Sequence, residues 1–343
     1  VPVTIKDIAE AANVSHTTVS RALQGRGRIS ATTAKRIRQI AVEMGYTPSA
    51  IAQSLVSQRT RTLGVVVTTI ADPFVISIFS GIEDAAHETG YSVFLSSSHQ
   101  DPEREMAVVE TFHQRRVDAV IVTASRVGSL YGAYLDRFQV PIVLINNQAE
   151  GEYLYSVASN DVQGTQLAVK HLLGLGHRRI AFVGSAERPF SSERRRQGYA
   201  QALHQASMPI DEELVVAPEA PTDIEAGRLG LIELIPARPT AIVAYNDMTA
   251  VGALLEARRQ GLAIPDQLSL VGFDDIELTQ YVFPPLTSVH QPKEAMGKAA
   301  VGQAMALLAG QPAGDLLFPC HLVVRGSTAA PSPVGTYDPR QPA

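Results

Sequence analysis

Apolar positions in this chain follow two different periods. Over residues 4–46 they recur at helical spacing: Ile5, Ile8, Ala9 and Ala12, then Val19, Ala22 and Leu23, then Ile37, Ile40, Ala41 and Met44, with Tyr46 folded back onto them. Each group has a start signal. Thr4 with Asp7 three residues on is a capping box, and Ser15 and Ser30 are N-cap residues for the second and third helices. Asn13 and Gly45 suit the left-handed conformation at helix ends. The pattern predicts three short helices around one small core.

From Thr62 the texture changes. Apolar runs at 63–68, 91–97, 118–123, 141–147 and 155–159 alternate with helical stretches near 74–89, 103–116 and 128–138. A second series follows: strands at 179–184, 214–218, 240–245 and 268–273, helices near 162–174, 193–206, 223–235 and 247–260. Continuous apolar strands between amphipathic helices predict parallel sheets covered on both faces, here two α/β lobes. Such sheets bind ligands beyond the carboxyl ends of their strands. There stand Asp72, Phe74, Ser96–Ser98, Ser125, Asn146 and Asn147 in the first lobe, and Arg188, Arg195, Asn246, Asp247, Asp274 and Asp275 in the second.

The second N-terminal helix leaves His16, Thr17, Ser20 and Arg21 outward, all donors or acceptors and none acidic. Held across a smaller helix, that face fits a helix-turn-helix whose second helix enters the DNA major groove. The same pattern also fits a plain helical hairpin with a polar outside. Charge favours the first reading. Residues 1–62 carry nine Lys/Arg against Asp7, Glu10 and Glu43, a net of +6 within a chain whose total is −5. A basic head on an acidic body suits a polyanion partner, because neutralised phosphates release counterions.

The 343 residues, 45% hydrophobic and 18% charged, describe an ordinary globular chain of two or three domains. No apolar run is long enough to span a bilayer, and the basic N-terminal stretch does not resemble a secretory leader, so no membrane partner and a cytoplasmic location are expected. The single cysteine, Cys320, excludes an internal disulfide and sits in an apolar run that suits an inert thiol. No HExxH, GxSxG or Walker-type loop accompanies the scattered carboxylates or His177, His290 and His321. An enzyme is therefore not expected, nor a cofactor or bound metal.

Residues 3–57, through TIKDIAEAANVSHTTVSRAL, GRGRIS and GYTPSAIAQSLVSQRTRTLGVV, resemble the DNA-binding head and hinge of the LacI/GalR repressors. Residues 62–328, through GHRRIAFVG, YNDMTAVGAL, IPDQLSLVGFDD and PPLTSVHQP, resemble the family's two-lobed, periplasmic-binding-protein-like sensor. The resemblance implies an all-α helix-turn-helix head at 1–47, a hinge at 48–61 and a sensor at 62–328, with a tail at 329–343. Its N-lobe would span about 62–160 plus 291–318, and its C-lobe about 161–288 plus 319–328.

On DNA the resemblance implies a dimer on a pseudo-palindromic operator. His16, Thr17 and Arg21 would contact bases, and Lys6, Ser15, Thr18, Ser30 and Thr33 phosphates. Paired hinges would enter the minor groove, Ala52 close-packing and Leu55 wedging a base step. In the sensor it implies Arg195, Asn246 and Asp274 on ligand hydroxyls, Phe74 beneath a ring, and Asp72, Ser125, Asn146, Asn160, Asp161 and Arg188 nearby. Planar amides, carboxylates and an aromatic floor suit a sugar. Arg188 with Arg195 leaves a sugar acid or sugar phosphate open; a purine is a further alternative, with no second aromatic clearly placed to sandwich it, and the sensor alone would also suit a transport receptor. The tail has no heptad pattern, so a dimer is expected rather than a tetramer.

Overall fold

The computed structural model describes residues 3–25, 27–46, 59–128, 131, 133, 140–147 and 155–332. The chain separates into two compact units, Val1–Thr60 and Arg61–Ala343.

The first unit is three helices, α1 (Ile5–Ala11), α2 (His16–Gln24) and α3 (Ala31–Glu43). The Thr4–Asp7 capping box forms in both directions. Ser15 accepts from the Thr18 amide at 3.2 Å and Ser30 from the Thr33 amide at 3.1 Å. Asn13 takes φ +49 between the first two helices, and Gly25 takes φ +66 after α2. Ile8, Val19, Ala22, Ile37 and Ala41 form the buried centre, with Tyr46 packed against it. Two basic side chains of α3 brace the other helices. Arg36 donates to the Ala12 carbonyl at 2.8 Å and Arg38 to that of Ala22 at 3.4 Å, satisfying carbonyls at helix ends.

The second unit has two lobes. The N-lobe contains β1 (Thr62–Val67), α4 (Pro73–Glu88), β2 (Ser92–Ser97), α5 (Pro102–Gln114), β3 (Ala119–Thr123), β4 (Ile142–Ile145) and β5 (Ser156–Ser159). The C-lobe follows with α6 (Asp161–Gly174), β6 (Ile180–Val183), α7 (Pro189–Gln205), β7 (Val215–Val216), α8 (Asp223–Leu234), β8 (Ala241–Ala244), α9 (Asp247–Arg259), β9 (Ser269–Asp274) and β10 (Thr287–His290). The chain then returns through α10 (Lys293–Leu308), packed on α4, and β11 (Leu316–Phe318), before β12 (His321–Val323).

Strand order is β11-β5-β4-β3-β1-β2 in one sheet and β12-β10-β9-β8-β6-β7 in the other. The first sheet is parallel throughout. In the second, β12 alone runs antiparallel, against β10. That departs from two wholly parallel sheets, and its cause is local. Strand β11 ends at the cleft, and only Pro319 and Cys320 separate it from β12, which therefore starts at the cleft, where β10 ends. The chain passes between lobes at Asn160, at Gln291–Pro292 and at Pro319–Cys320, so three short segments join them.

Central strands β1, β3, β4, β6, β8 and β9 are buried on both faces, as their unbroken apolar sequences require. Strand β2 is an edge, with Phe94 and Leu95 exposed. Helix α7 starts at Pro189 rather than near 193. Proline is favoured in the first turn, where its missing N–H costs nothing, so the chain becomes helical before the Ser191–Ser192 pair. The expected helix near 128–138 lies almost wholly outside the described residues. No described helix is long and apolar enough to cross a membrane.

Candidate functional site

In the head, His16, Thr17 and Arg21 are exposed on one side of α2, which contains no acidic residue. Lys6 is exposed on α1. The four hydroxyl residues expected at phosphates are engaged at helix starts: Ser15 Oγ lies 2.9 Å from Thr18 Oγ1, and Ser30 Oγ lies 2.7 Å from Thr33 Oγ1. The first-turn amides beside them stand at the positive end of each helix dipole. Ala52 and Leu55 lie outside the described residues.

In the larger unit, a chamber between the lobes gathers Asp72, Phe74, Asn146, Asp161, Arg188, Arg195 and Asp274. Strand ends and helix starts supply them, except Arg195, which projects from within α7. Asp72 precedes α4 and does two jobs: Oδ1 accepts the Phe74 amide at 2.9 Å, and Oδ2 meets the Arg188 guanidinium of the other lobe at 3.2 Å. Arg188 also pairs with Asp223 at 3.3 Å. A second cross-lobe contact joins Arg126 to the Glu187 backbone carbonyl and side chain.

Arg195 is the buried centre of the chamber. It pairs with Asp161 at 3.1 Å and lies 3.9 Å from Asp274, while its guanidinium sits 3.8 Å from the centre of the Phe273 ring and 4.5 Å from that of Tyr245. It also donates to the Tyr245 carbonyl. Burial opposes charge on both arginines, yet the facing acids and the Tyr245 hydroxyl hold them charged. Burial pushes the Asp274 carboxyl up to about 7, with Arg195 acting against it. Gln291, at an interlobe crossing, donates to Asp274 Oδ1 at 2.6 Å.

Three expected residues do not line this chamber. The Ser125 hydroxyl donates to the buried Glu105 carboxylate, which also receives the Tyr131 hydroxyl at 2.7 Å. Asn160 caps α6 by accepting the Gln163 amide at 3.1 Å. Asn246 caps α9 by accepting the Thr249 amide at 2.8 Å, and its Nδ2 donates to Asp223 at 2.8 Å. Asn246 therefore reaches the chamber only through Asp223 and Arg188.

Other chamber residues carried no signal in the sequence. Tyr245 ends an apolar strand run, and its hydroxyl lies 2.8 Å from Ser191 Oγ. Thr68 follows β1 inside a threonine pair. Thr68 lines the chamber, and its buried hydroxyl has no hydrogen-bond partner among the described residues. A buried hydroxyl without a partner is costly, so a ligand hydroxyl there relieves a standing penalty.

The residues set aside as non-catalytic have structural contacts. His177 is buried against Thr240, Ser269 and the Ala329 carbonyl. His290 lies 2.9 Å from Asp275 and its ring stacks on His321. Burial pushes the Cys320 thiol up to about 12, which keeps it unreactive.

Comparison with known proteins accords with both halves of this arrangement. Residues 4–49 match the model for bacterial regulatory proteins of the lacI family, and residues 169–328 match a periplasmic binding protein-like domain. The HTH-type transcriptional repressor CytR of Escherichia coli (strain K12) is 34% identical over 95% of this chain and 96% of its own. The lac repressor dimer bound to operator and the anti-inducer ONPF superposes with a TM-score of 0.86 at 27% identity, covering 96% of this chain and 100% of that one. A complex of the transcriptional regulator CelR with cellobiose gives 0.72 at 27% identity, covering 95% and 99%. The chain thus belongs to the lacI family of bacterial regulatory proteins, DNA-binding transcriptional repressors regulated by small-molecule effectors.

Proposed function

We propose that this chain is a homodimeric repressor that binds a pseudo-palindromic operator and is switched by a neutral, polyhydroxylated effector, a sugar, held between the lobes. The charge balance of the chamber carries the effector reading. Arg188 already faces Asp72 and Asp223, and Arg195 faces Asp161 and Asp274, so neither guanidinium is left to neutralise an incoming anion. A sugar acid or phosphate would add charge to a site that already has more carboxylates than arginines. Neutral hydroxyls can instead share these donors and acceptors and use the Thr68 hydroxyl.

In this lobe arrangement the chamber, about 40 Å³, is too small for a ring. A sugar must part Asp72 from Arg188 and so shift the lobes relative to each other. The effector then acts through its different affinity for the two lobe arrangements.

Exposed apolar side chains support self-association. Ile70, Ile76, Phe94 and Leu95 mark the N-lobe, and Tyr281 and Phe283, 71% and 89% exposed, mark the C-lobe. Two heads then read two half-sites, with Arg21 suited to guanine and Leu55 of the hinge wedging the central step. The proposed limits are a head at 1–47, a hinge at 48–61 and a sensor at 62–328. The family match over residues 4–49 supports a regulator over a transport receptor, and with it a cytoplasmic location.

Selection of bound duplexes from a random DNA pool tests the operator reading. Recovery of a symmetric site with two half-sites is expected. Recovery of unrelated sequences, or of a single half-site bound by one chain, contradicts it.

A further inference from the structure

We infer that the C-lobe carries a second small-molecule site, at the edge of its sheet away from the interlobe cleft, and that this site takes an apolar α-amino acid.

A cavity of about 210 Å³ opens where the C-lobe strands begin. His177 precedes β6, Pro239 and Thr240 precede β8, and Leu268 precedes β9. These strands run parallel, so the cavity lies at the opposite edge of the sheet from Asn246 and Asp274. The residues lining it belong to the C-lobe or to the segment after β12 that is bonded to that lobe. Its size therefore does not depend on how the two lobes are set.

The interior is apolar. Leu231, Ile235, Pro239, Leu262, Pro265 and Leu268 supply its walls. The polar groups of His177 and Thr240 are already engaged: His177 Nδ1 lies 2.9 Å from Thr240 Oγ1, and the Ala329 carbonyl accepts from Nε2 at 2.8 Å. The cavity falls below the range of about 300 to 1,000 Å³ typical of drug-sized ligands, and suits a body the size of one amino acid.

Two charges are left over. Arg238 and Asp266, both exposed, line this cavity, and neither side chain has a hydrogen-bond or ion-pair partner among the described residues. Arg238 closes the helical turn Ile235–Ala237 at φ +48, a left-handed conformation that glycine or asparagine adopts more readily. The turn itself does not call for arginine, whereas a guanidinium at an apolar cavity is a carboxylate receptor. A zwitterion answers both charges. Its carboxylate meets Arg238, its ammonium meets Asp266, and its side chain covers the apolar walls.

Calorimetric titration of the full chain with leucine and phenylalanine, against glycine, phenylalaninamide and N-acetylphenylalanine, tests this. Leucine or phenylalanine should bind with a Kd of about 1 mM or tighter. Glycine lacks the apolar body and each phenylalanine derivative lacks one charge, so all three should bind at least about tenfold more weakly. Arg238→Gly suits the turn better than arginine does, and Asp266→Asn keeps the side-chain shape; circular dichroism checks that each folds. Both variants should lose at least about tenfold in affinity. Failure of both amino acids to bind, either derivative binding as well as phenylalanine, or folded variants with full affinity overturns the site. A chain ending at Ser332 that binds where the full chain does not assigns the cavity to residues 333–343, and also overturns it. None of these outcomes bears on the interlobe effector.

Discussion

Asp72 and Arg188, 116 positions apart in sequence, meet at 3.2 Å and tie the loop after β1 to the start of α7 in the other lobe. Both side chains are largely buried, so the pair is screened less than a surface bridge. It occupies the place where the inner chamber opens outward and ties the two lobes to each other.

Asp72→Asn keeps the acceptor that caps α4 and removes the charge facing Arg188. Ligand-free protein should lose about 1–2 kcal/mol in urea denaturation, less than a fully buried pair because Asp223 still faces Arg188. Small-angle X-ray scattering should show a larger radius of gyration for the sensor. Unchanged stability and size would remove the pair from lobe closure.

Arg21 and Lys6 should separate base reading from phosphate contact. Arg21→Ala should cost about 1–3 kcal/mol of operator affinity and relax preference at one base pair. Lys6→Ala should weaken all duplexes alike and lower the salt dependence by about one phosphate contact. Competition binding at several salt concentrations distinguishes the two, and swapped behaviour would reverse the roles.

The head was legible because its signals are local. Thr4, Ser15 and Ser30 each cap a helix within three residues, so sequence neighbours determine the outcome. The sensor's strands were legible for a similar reason, being apolar runs buried on both faces. The chamber was legible only in part. A polar residue at a strand end can face the cleft or a neighbouring element, and spacing does not distinguish these. Ser125 turns to Glu105 on α5, and Asn246 turns to its own helix and to Asp223. Asp72 shows that capping and cleft roles coexist in one carboxylate. Thr68 and Tyr245 were missed because each continues an apolar strand and lines the chamber only through the folding of its lobe.

Leu55→Ala should weaken operator binding by at least tenfold, consistent with loss of a wedge that offsets unstacking of a few kcal/mol. Effector affinity of DNA-free protein should not change. Leu55 lies outside the described residues and rests on the hinge motif, so unchanged operator affinity would remove it from the groove.

Adjacent carboxyls should give opposite pH dependences. Hydrogen bonds from His290 and Arg325 hold Asp275 down at about 2 against the effect of burial. Its stabilisation is present above the ordinary value of 3.8 and is lost as pH falls towards 2, amounting to about 2 kcal/mol. Asp274 is raised, so its contribution is present below 3.8 and is lost as pH rises through about 7. Urea midpoints should therefore show a smaller acid loss in Asp275→Asn, and a flatter decline between pH 4 and 7 in Asp274→Asn. Curves parallel to the parent protein would contradict both assignments.

The most direct test of a neutral effector between the lobes is a thermal-shift panel of sugars, glycosides, sugar acids, sugar phosphates and purines. It is run on the parent chain and on Arg195→Ala, with circular dichroism to confirm that the variant folds. A ligand at about 100 times its Kd adds about 2.7 kcal/mol, a shift of several degrees. The predicted result is a shift with a neutral sugar or glycoside in the parent chain and none in Arg195→Ala. A shift with anionic ligands alone, or one that survives intact in the folded variant, would contradict it.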